Sequence, residues 1–239
     1  MSEAGGALAG RIALVTGASR GIGRAVAKRY AEEGADLILT ARTVGALEEL
    51  DDEIRAINGK TSLLVPMDVR NFDTIDQLGA GLYERYGRLD VLVGNAAVLG
   101  QMSPLPHIDP KAWQDVIDTN LTANWRLIRS LDPLLRQSAA GRAIFVSSSV
   151  GREVRAYWGA YAVSKAALEM LVGIYAKEVQ QSAVRANLVD PGRTRTRMRA
   201  AAFPGEDPAT LPTPESVTEP FVRLARADHA GNGEVIKAY

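Results

Sequence analysis

The chain has 239 residues, and its 28 Lys and Arg balance 28 Asp and Glu, so the formal net charge is zero. A neutral chain that is 46% apolar and 23% charged is typical of a globular protein. This balance disfavours a general binder of nucleic acid or of membrane surfaces. With no Cys and two His, disulfides, zinc-thiolate sites and a thiol nucleophile are excluded, and a metal site has little support.

The length lies at the upper end of one domain, so we predict a single domain over residues 1–239. Between Met1 and Gly10 no basic segment precedes a long apolar run. No stretch reaches the ~20 apolar residues that a membrane span needs. We therefore expect a cytoplasmic protein without a membrane segment.

Short apolar runs alternate with segments of helical period along the chain. The predicted strands are 11–16, 36–40, 62–67, 89–93, 143–147, 184–189 and a short last strand at 234–236. The predicted helices between them are 24–33, 47–57, 74–86, 113–135 and 157–179. This alternation predicts an α/β fold, a doubly wound seven-stranded parallel sheet with helices on both faces. The irregular segment 193–220 is expected to lie over a site as a loop or lid.

The turn after the first strand reads Thr16-Gly17-Ala18-Ser19-Arg20-Gly21-Ile22-Gly23 and leads straight into a helix. Gly17 permits a tight turn, Gly21 lets the backbone approach a pyrophosphate, and Gly23 lets the helix pack closely against the strand. Free N–H groups at the start of the helix would bind the anion. The strand-turn-helix context favours dinucleotide binding over a turn with a purely structural role.

The cofactor preference is predicted from the end of the second strand. An acidic residue there would bind the ribose 2′-hydroxyl of NAD, whereas this chain has Arg42. Together with Arg20 in the glycine-rich turn, Arg42 suits a 2′-phosphate, which guanidinium groups bind through paired hydrogen bonds. The pattern favours NADP(H) over NAD(H), the alternative being that Arg42 is a solvated charge.

Tyr161 and Lys165 lie four residues apart in a predicted helix and therefore on one face of it. A nearby ammonium stabilises a phenolate, which suits Tyr161 to general acid–base chemistry. Ser148, at the end of the fifth strand, could hold a substrate oxygen. A Tyr–Lys pair at this spacing is common on exposed helices, so the pair alone does not identify a catalytic site.

Taken together, these features resemble the short-chain dehydrogenase/reductase family over residues 11–236. The resemblance implies a Rossmann fold and a catalytic set of Ser148, Tyr161 and Lys165. Ser148 fits better than the serines on either side because it lies thirteen residues before Tyr161, as in related reductases. The resemblance also implies the remaining site residues: Asn120 for a proton relay, Asp68 and Val69 at the adenine, Asn95 and Ala96 after the fourth strand, and Pro191, Gly192, Thr194 and Thr196 beside the nicotinamide.

By the same resemblance, hydride passes between the nicotinamide and the carbon of a carbonyl or secondary alcohol. Tyr161 exchanges a proton with the substrate oxygen, which Ser148 holds. Lys165 tunes Tyr161 and binds the nicotinamide ribose, and Asn120 with a water chain restores the proton. The resemblance further implies a homotetramer, with a homodimer as the alternative because the chain stops at Tyr239, soon after the last strand.

Two positions depart from the family pattern. Ala97 stands where a glycine is usual after the fourth strand, and its Cβ is expected to crowd the cofactor slightly. Asp190 precedes Pro191 where many relatives carry a neutral Asn or Ala, and the sequence offers no role for it.

The substrate is not identified by the sequence. Arginines flank the expected substrate opening and could form a basic rim for an anionic substrate. The alternative is that they are solvated or paired with acidic residues nearby. This alternative is favoured, because most charged side chains on a protein surface are solvated or weakly paired. The arginines are Arg152, Arg155, Arg193, Arg195, Arg197 and Arg199, and the acidic candidates are Glu206, Asp207 and Glu215.

The sequence therefore predicts an NADP(H)-dependent oxidoreductase acting on a carbonyl or alcohol small molecule. A 3-oxoacyl-[acyl-carrier-protein] reductase is an alternative within the same chemistry. A catalytically idle nucleotide-sensing regulator is an alternative from another class, which the presence of Ser148, Tyr161 and Lys165 disfavours. A nucleic-acid-binding module is disfavoured by the neutral charge.

Overall fold

Seven strands form one sheet within residues 6–239, the part of the chain that the computed structural model describes. They are β1 (Ile12–Thr16), β2 (Asp36–Ala41), β3 (Leu63–Pro66), β4 (Val91–Gly94), β5 (Arg142–Val146), β6 (Arg185–Asp190) and β7 (Val235–Lys237). Their order is β3-β2-β1-β4-β5-β6-β7, and every neighbouring pair is parallel. The predicted seven-stranded parallel sheet is confirmed.

Helices cover both faces of this sheet. They are α1 (Gly21–Glu32), α2 (Val44–Asn58), α3 (Phe72–Tyr86), α4 (Pro110–Ile117), α5 (Ala123–Gln137), α6 (Gly159–Glu178), α7 (Arg197–Ala202) and α8 (Glu219–Ala225). Alternate residues of one strand enter different cores: Leu14 packs with the residues of α3, α5 and α6, and Val15 with those of α1, α2 and α8. A strand buried on both faces needs apolar residues at every position, which is why β1 reads as a continuous apolar run.

The long helix predicted over 113–135 is interrupted in the structure. It starts earlier, at Pro110, because the Asp109 carboxylate caps it by accepting from the Ala112 N–H at 2.9 Å. Between α4 and α5 the chain forms one wider π turn, Asp118–Thr122. Apolar periodicity does not reveal a π turn, since one extra residue only rotates the apolar stripe.

The predicted irregular segment 193–220 is partly helical. It contains α7 and two short 3₁₀ turns, and α8 begins at Glu219, where the sequence indicated no helix. Helix α8 is short but packs into the core, since Phe221 and Leu224 are both completely buried. The carbonyl of Phe221 also accepts a hydrogen bond from the Tyr30 hydroxyl at 2.9 Å.

The prediction made for Met1–Gly10 lies partly outside the described residues, which begin at residue 6. From there to Tyr239, no helix combines the length and the apolar character required to cross a membrane. The remaining predicted strands and helices agree with the structure in type and order, and their ends differ by at most three residues.

Candidate active site

One large cleft of about 970 Å³ opens where the carboxyl ends of the strands meet. The strand order reverses there between β1 and β4, the position where open α/β sheets bind ligands. Nearly every predicted site residue lines it, from Gly17 in the first turn to Thr196 before α7. Gly23 and Asn120 are not on its surface, and both lie directly behind its wall.

The glycine-rich turn has the backbone geometry of a phosphate cradle. Gly17 and Gly21 adopt φ values of +66° and +56°, a conformation that favours glycine. Within residues 6–239 no side chain caps the start of α1, and its first turn contains no acidic residue. The first N–H groups of α1 are therefore free to bind an anion beside Gly21.

Gly23 and Asn95 hold this turn in place. A Cβ on Gly23 would lie 2.4 Å from both Asn95 Nδ2 and the Gly17 carbonyl oxygen. Asn95 Nδ2 donates to the Thr16 carbonyl at 2.8 Å and to the Gly17 carbonyl at 3.3 Å. The Asn95 amide group, predicted as a cofactor contact, is thus already used to join the turn after β4 to the turn after β1.

Three arginines surround the expected adenosine end of the cleft. Arg20 and Arg42 are both exposed there, and Arg42 Nη1 lies 4.0 Å from Asp68 Oδ2. Arg70, which the sequence did not single out, donates to both carboxylate oxygens of Asp68 and to Asp115 at 2.9 Å. Hydrogen bonds from Arg70 lower the pKa of Asp68, so this carboxylate is ionised but already engaged. The Arg42 side chain stays 60% exposed although it lies at ion-pair distance from Asp68, so its guanidinium is accessible to a ligand, as is that of the exposed Arg20.

Tyr161 and Lys165 lie on the same face of α6, as predicted, and both are buried against the cleft. The Lys165 ammonium lies 5.7 Å from the centre of the Tyr161 ring and donates to the Val146 carbonyl at 2.7 Å. Burial lowers the pKa of Lys165 to about 8, with Glu169 acting in the opposite direction. Lys165 therefore loses its proton at a lower pH than an exposed lysine does.

Burial raises the pKa of Tyr161 to about 12. A hydrogen bond with Ser148 lowers this pKa, and the Asp190 carboxylate raises it. The phenol of the cofactor-free protein therefore keeps its proton at neutral pH. A protonated phenol that lines the same cleft wall as Ser148 can donate a proton to an oxygen bound between them.

Asn120 is completely buried in the π turn. Its Oδ1 accepts from the Val98 N–H at 2.9 Å, and its Nδ2 donates to the Val98 carbonyl and to Ser164 Oγ, each at 3.0 Å. Both amide donors are thus used to fasten α6 and the loop after β4 to the π turn. The predicted proton relay through Asn120 stays a prediction.

Aromatic side chains cluster beside the part of the cleft where a substrate is expected. The ring of Trp158 lies 5.9 Å from that of Tyr161 and 5.7 Å from that of Phe203. The Arg199 guanidinium stacks on Phe203 at 3.7 Å and pairs with Glu206 at 2.5 Å. The sequence did not indicate this stack, because its members lie at the start of α6, on α7 and just after α7.

The arginines of the predicted basic rim fall into two groups. Four have acidic partners: Arg199 and Arg193 pair with Glu206, Arg155 pairs with Glu153, and Arg152 pairs with Glu169 and Asp190. Arg195 and Arg197 are exposed on the cleft and form no ion pair with any residue from 6 to 239. Of the three predicted acidic partners, only Glu206 forms a pair with these arginines.

The parallel sheet and the cleft at its point of strand reversal define a Rossmann-type α/β fold. A family model described as short chain dehydrogenase matches residues 11–207. The chain belongs to this family.

Relatives with known sequences agree with this assignment. The uncharacterized oxidoreductase YciK of Escherichia coli (strain K12) is 42% identical over 220 residues, which cover 91% of this chain and 87% of the relative. An uncharacterized NAD-dependent oxidoreductase of Mycobacterium tuberculosis, MT0715, is 37% identical over 83% of this chain and 76% of its own length. The 3-oxoacyl-[acyl-carrier-protein] reductase FabG of Vibrio cholerae is 35% identical, covering 85% and 82%.

Solved structures give the same result for the fold. A short chain dehydrogenase from Escherichia coli CFT073, crystallised in complex with NADPH, superposes with a TM-score of 0.93 at 41% identity. The match covers 97% of each chain. At this identity the agreement extends beyond the general fold to the family.

Proposed function

We propose that this oxidoreductase uses NADP(H) to interconvert a carbonyl compound and a secondary alcohol, with Tyr161 as the general acid and base. The observation that carries the proposal is the buried Tyr161–Lys165 pair beside Ser148, on the same cleft as the glycine-rich turn. The cofactor, when bound, supplies or accepts the hydride.

The residues present fit a dinucleotide phosphate. The positive φ of Gly21 and the free N–H groups of α1 suit the pyrophosphate, since a side chain at residue 21 would be strained. Arg20 and Arg42 suit a 2′-phosphate, and β2 ends at Ala41 with no carboxylate to repel it. The NADPH complex of the Escherichia coli CFT073 relative supports this choice, although the mycobacterial relative is named NAD-dependent.

Three side chains would take part in proton transfer to and from the substrate oxygen. Ser148 and Tyr161 together would hold the substrate oxygen, and the protonated Tyr161 would donate to it during reduction. Lys165 would favour the phenolate left behind, because its ammonium lies close to the ring. In the direction of oxidation the phenolate would take the proton from the alcohol.

The cofactor proposal is tested by calorimetry of NADPH and NADH binding to the wild type and to Arg42→Asp. The change should weaken NADPH binding by about 10- to 100-fold, since it removes charge-assisted hydrogen bonds and adds a like charge. NADH binding should hold or improve. Arg85→Asp makes the same charge change on an exposed face of α3 and should leave both affinities unaltered. Equal affinity of the wild type for both cofactors would refute the preference.

The catalytic proposal is tested by Tyr161→Phe, which removes only the hydroxyl. Turnover of a panel of ketones and aldehydes with NADPH should fall by about 10²- to 10⁴-fold while NADPH affinity is retained. Tyr83→Phe removes a hydroxyl at a residue that is 59% exposed on α3 and serves as the matched control. A wild type that binds NADPH tightly and reduces nothing in a broad panel would instead favour the regulator.

A carrier-bound 3-oxoacyl thioester is a second candidate substrate, favoured by the 35% identity to the reductase of Vibrio cholerae. Comparing acetoacetyl groups on an acyl carrier protein and on free pantetheine tests it. A higher kcat/KM with the carrier protein would support this candidate, and equal values would remove it.

A further inference from the structure

Four polar side chains form a connected network behind the catalytic wall of the cleft. Arg152 donates to Oε1 of Glu169 through Nη1 and to Oδ2 of Asp190 through Nη2. Ser147 also donates to Oε1 of Glu169. The side chains of Asp190 and Glu169 are only 1% and 15% exposed, against 34% for Arg152. Because a desolvated carboxylate needs a partner, this one guanidinium, which pairs with both acids, offsets part of the cost of burying them.

The network joins three segments that carry the proposed catalytic residues. Ser147 is the neighbour of Ser148, and its N–H donates to the Val189 carbonyl at 2.8 Å. Glu169 lies one turn of α6 beyond Lys165. The Arg152 guanidinium therefore connects the serine segment and α6 to the end of β6.

Asp190 extends this connection to the expected nicotinamide site. Its Oδ1 accepts from the Gly192 N–H at 3.1 Å, which fixes the turn after Pro191. The 3₁₀ turn Ser149–Gly151, which precedes Arg152, packs directly on α6, since a Cβ on Gly151 would lie 3.1 Å from the Ala166 nitrogen. Because these segments are closely packed, a small shift of one of them would also move the residues that line the cleft.

The two acids also act on the catalytic pair. Asp190 raises the pKa of Tyr161, and Glu169 raises the pKa of Lys165. Within residues 6–239, Arg152 is the cation that forms ion pairs with these two acids.

Other cations near this network are directed elsewhere. On the neighbouring strand β7, Lys237 lies in register with Asp190, but its ammonium lies over the Tyr239 ring at 5.6 Å. Beyond Gly192, Arg193 lies 3.9 Å from Glu206. Asp190 is therefore the charged group that acts on Tyr161, and within residues 6–239 Arg152 is the cation paired with it.

We infer that Arg152 is a positioning residue for the proposed reaction. It bridges Glu169 and Asp190, and so it holds the segments around Tyr161 in place and balances the negative charges of the two acids. The inference rests on the proposed role of Tyr161. It also explains the departure at Asp190, since an acid at this position requires the bridging cation that Arg152 provides.

The test measures the titration of the Tyr161 phenol without any turnover. The cofactor-free protein is prepared with a fluorinated tyrosine, whose phenol is more acidic than that of tyrosine, and is followed by fluorine NMR. Tyr161→Phe identifies the resonance by its absence. The variants are Arg152→Gln, Arg152→Lys, the double variant Glu169→Gln/Asp190→Asn, and the triple variant that combines this pair with Arg152→Gln.

Arg152→Gln should raise the Tyr161 titration midpoint by about one pH unit, because the buried Asp190 and the partly buried Glu169 lose their counter-ion. The double variant should lower the midpoint, and the triple variant should return it close to the wild-type value. The midpoint of Arg152→Lys should lie between those of the wild type and Arg152→Gln, since an ammonium keeps the positive charge but cannot donate to both acids as the guanidinium does. The matched control Arg155→Gln removes an arginine whose one ion-pair partner among residues 6–239 is the exposed Glu153, and it should leave the midpoint unchanged.

If folded Arg152→Gln had the same Tyr161 titration midpoint as the wild type, the inference would be overturned. The ion pairs of Arg152 would then have only a structural role. Should Arg152→Gln fail to fold, as judged by circular dichroism, the double and triple variants are compared, because they differ only at Arg152. A higher midpoint in the triple variant then supports the inference, and equal midpoints refute it. Failure of the proposed function would be seen separately, as undiminished turnover in Tyr161→Phe.

Discussion

Gly23→Ala should destabilise the protein although alanine is the better helix former. The added Cβ would lie 2.4 Å from the Gly17 carbonyl oxygen and 2.4 Å from Asn95 Nδ2, about 1 Å inside an ordinary contact. The first of these atoms belongs to the backbone of the cofactor turn, so relief requires the turn or α1 to move.

The size of the effect follows from three contributions. Overpacking a tight site costs about 1–3 kcal/mol, and weakening the Asn95 hydrogen bonds to the turn costs about 1 kcal/mol. The gain in helix propensity offsets about 1 kcal/mol. We expect the free energy of unfolding to fall by about 1–3 kcal/mol. NADPH affinity should fall as well, since the displaced turn supplies the proposed phosphate cradle.

Urea unfolding and calorimetry of NADPH binding check both parts. Gly81→Ala is the matched control, because Gly81 lies within α3, and apart from its chain neighbours and the adjacent backbone of the helix no atom lies within 4 Å of where a Cβ would be. It should raise the free energy of unfolding by about 0.5–1 kcal/mol and leave NADPH binding unchanged. If Gly23→Ala proved as stable as Gly81→Ala and bound NADPH like the wild type, the packing argument for Gly23 would be wrong.

Three further outcomes are expected. The pKa of Lys165 is lowered to about 8, below its unfolded value, so the folded state gains stability as the pH rises from about 8 towards 10. Lys165→Met should reduce this gain, by up to about 3 kcal/mol in urea unfolding, while Tyr161 acts in the opposite direction only above about pH 10. If Arg195 and Arg197 form a basic rim, Arg195→Ala/Arg197→Ala should lower kcat/KM more for a carboxylate-bearing ketone than for a neutral one, and equal effects would remove the rim. Met170 is 67% exposed on α6, and if α6 joins copies of the chain, Met170→Glu should reduce the sedimenting mass, whereas a monomeric wild type would refute this.

The parts of the fold that were predicted correctly are those in which backbone geometry constrains the residue type locally. The strand β1 is apolar at every position because helices cover both faces of the sheet. The turn from Gly17 to Gly23 requires glycines for its conformation and its close packing. Both signals are contained in a dozen consecutive residues, so no tertiary information is needed to detect them.

The π turn and α8 were missed because their causes are not local. The π turn is held by the Asn120 side chain, which bonds to Val98 across 22 residues of sequence. Helix α8 has seven residues, too few to show a periodic pattern, and it is stabilised by packing that includes Tyr30, 191 residues away from Phe221.

The same distinction separates the cofactor half of the cleft from the substrate half. The cofactor half is built from backbone turns, whereas the substrate half depends on which charged side chains meet. Asp190 stood out in the sequence as a departure, yet its partner Arg152 lies 38 residues earlier and reaches it only because β5 and β6 are neighbours. A buried acid next to the proposed catalytic tyrosine is unfavourable unless a cation accompanies it. Asp190 and Arg152 therefore need to be considered together, with Glu169, when the site is compared with relatives that carry a neutral residue before Pro191.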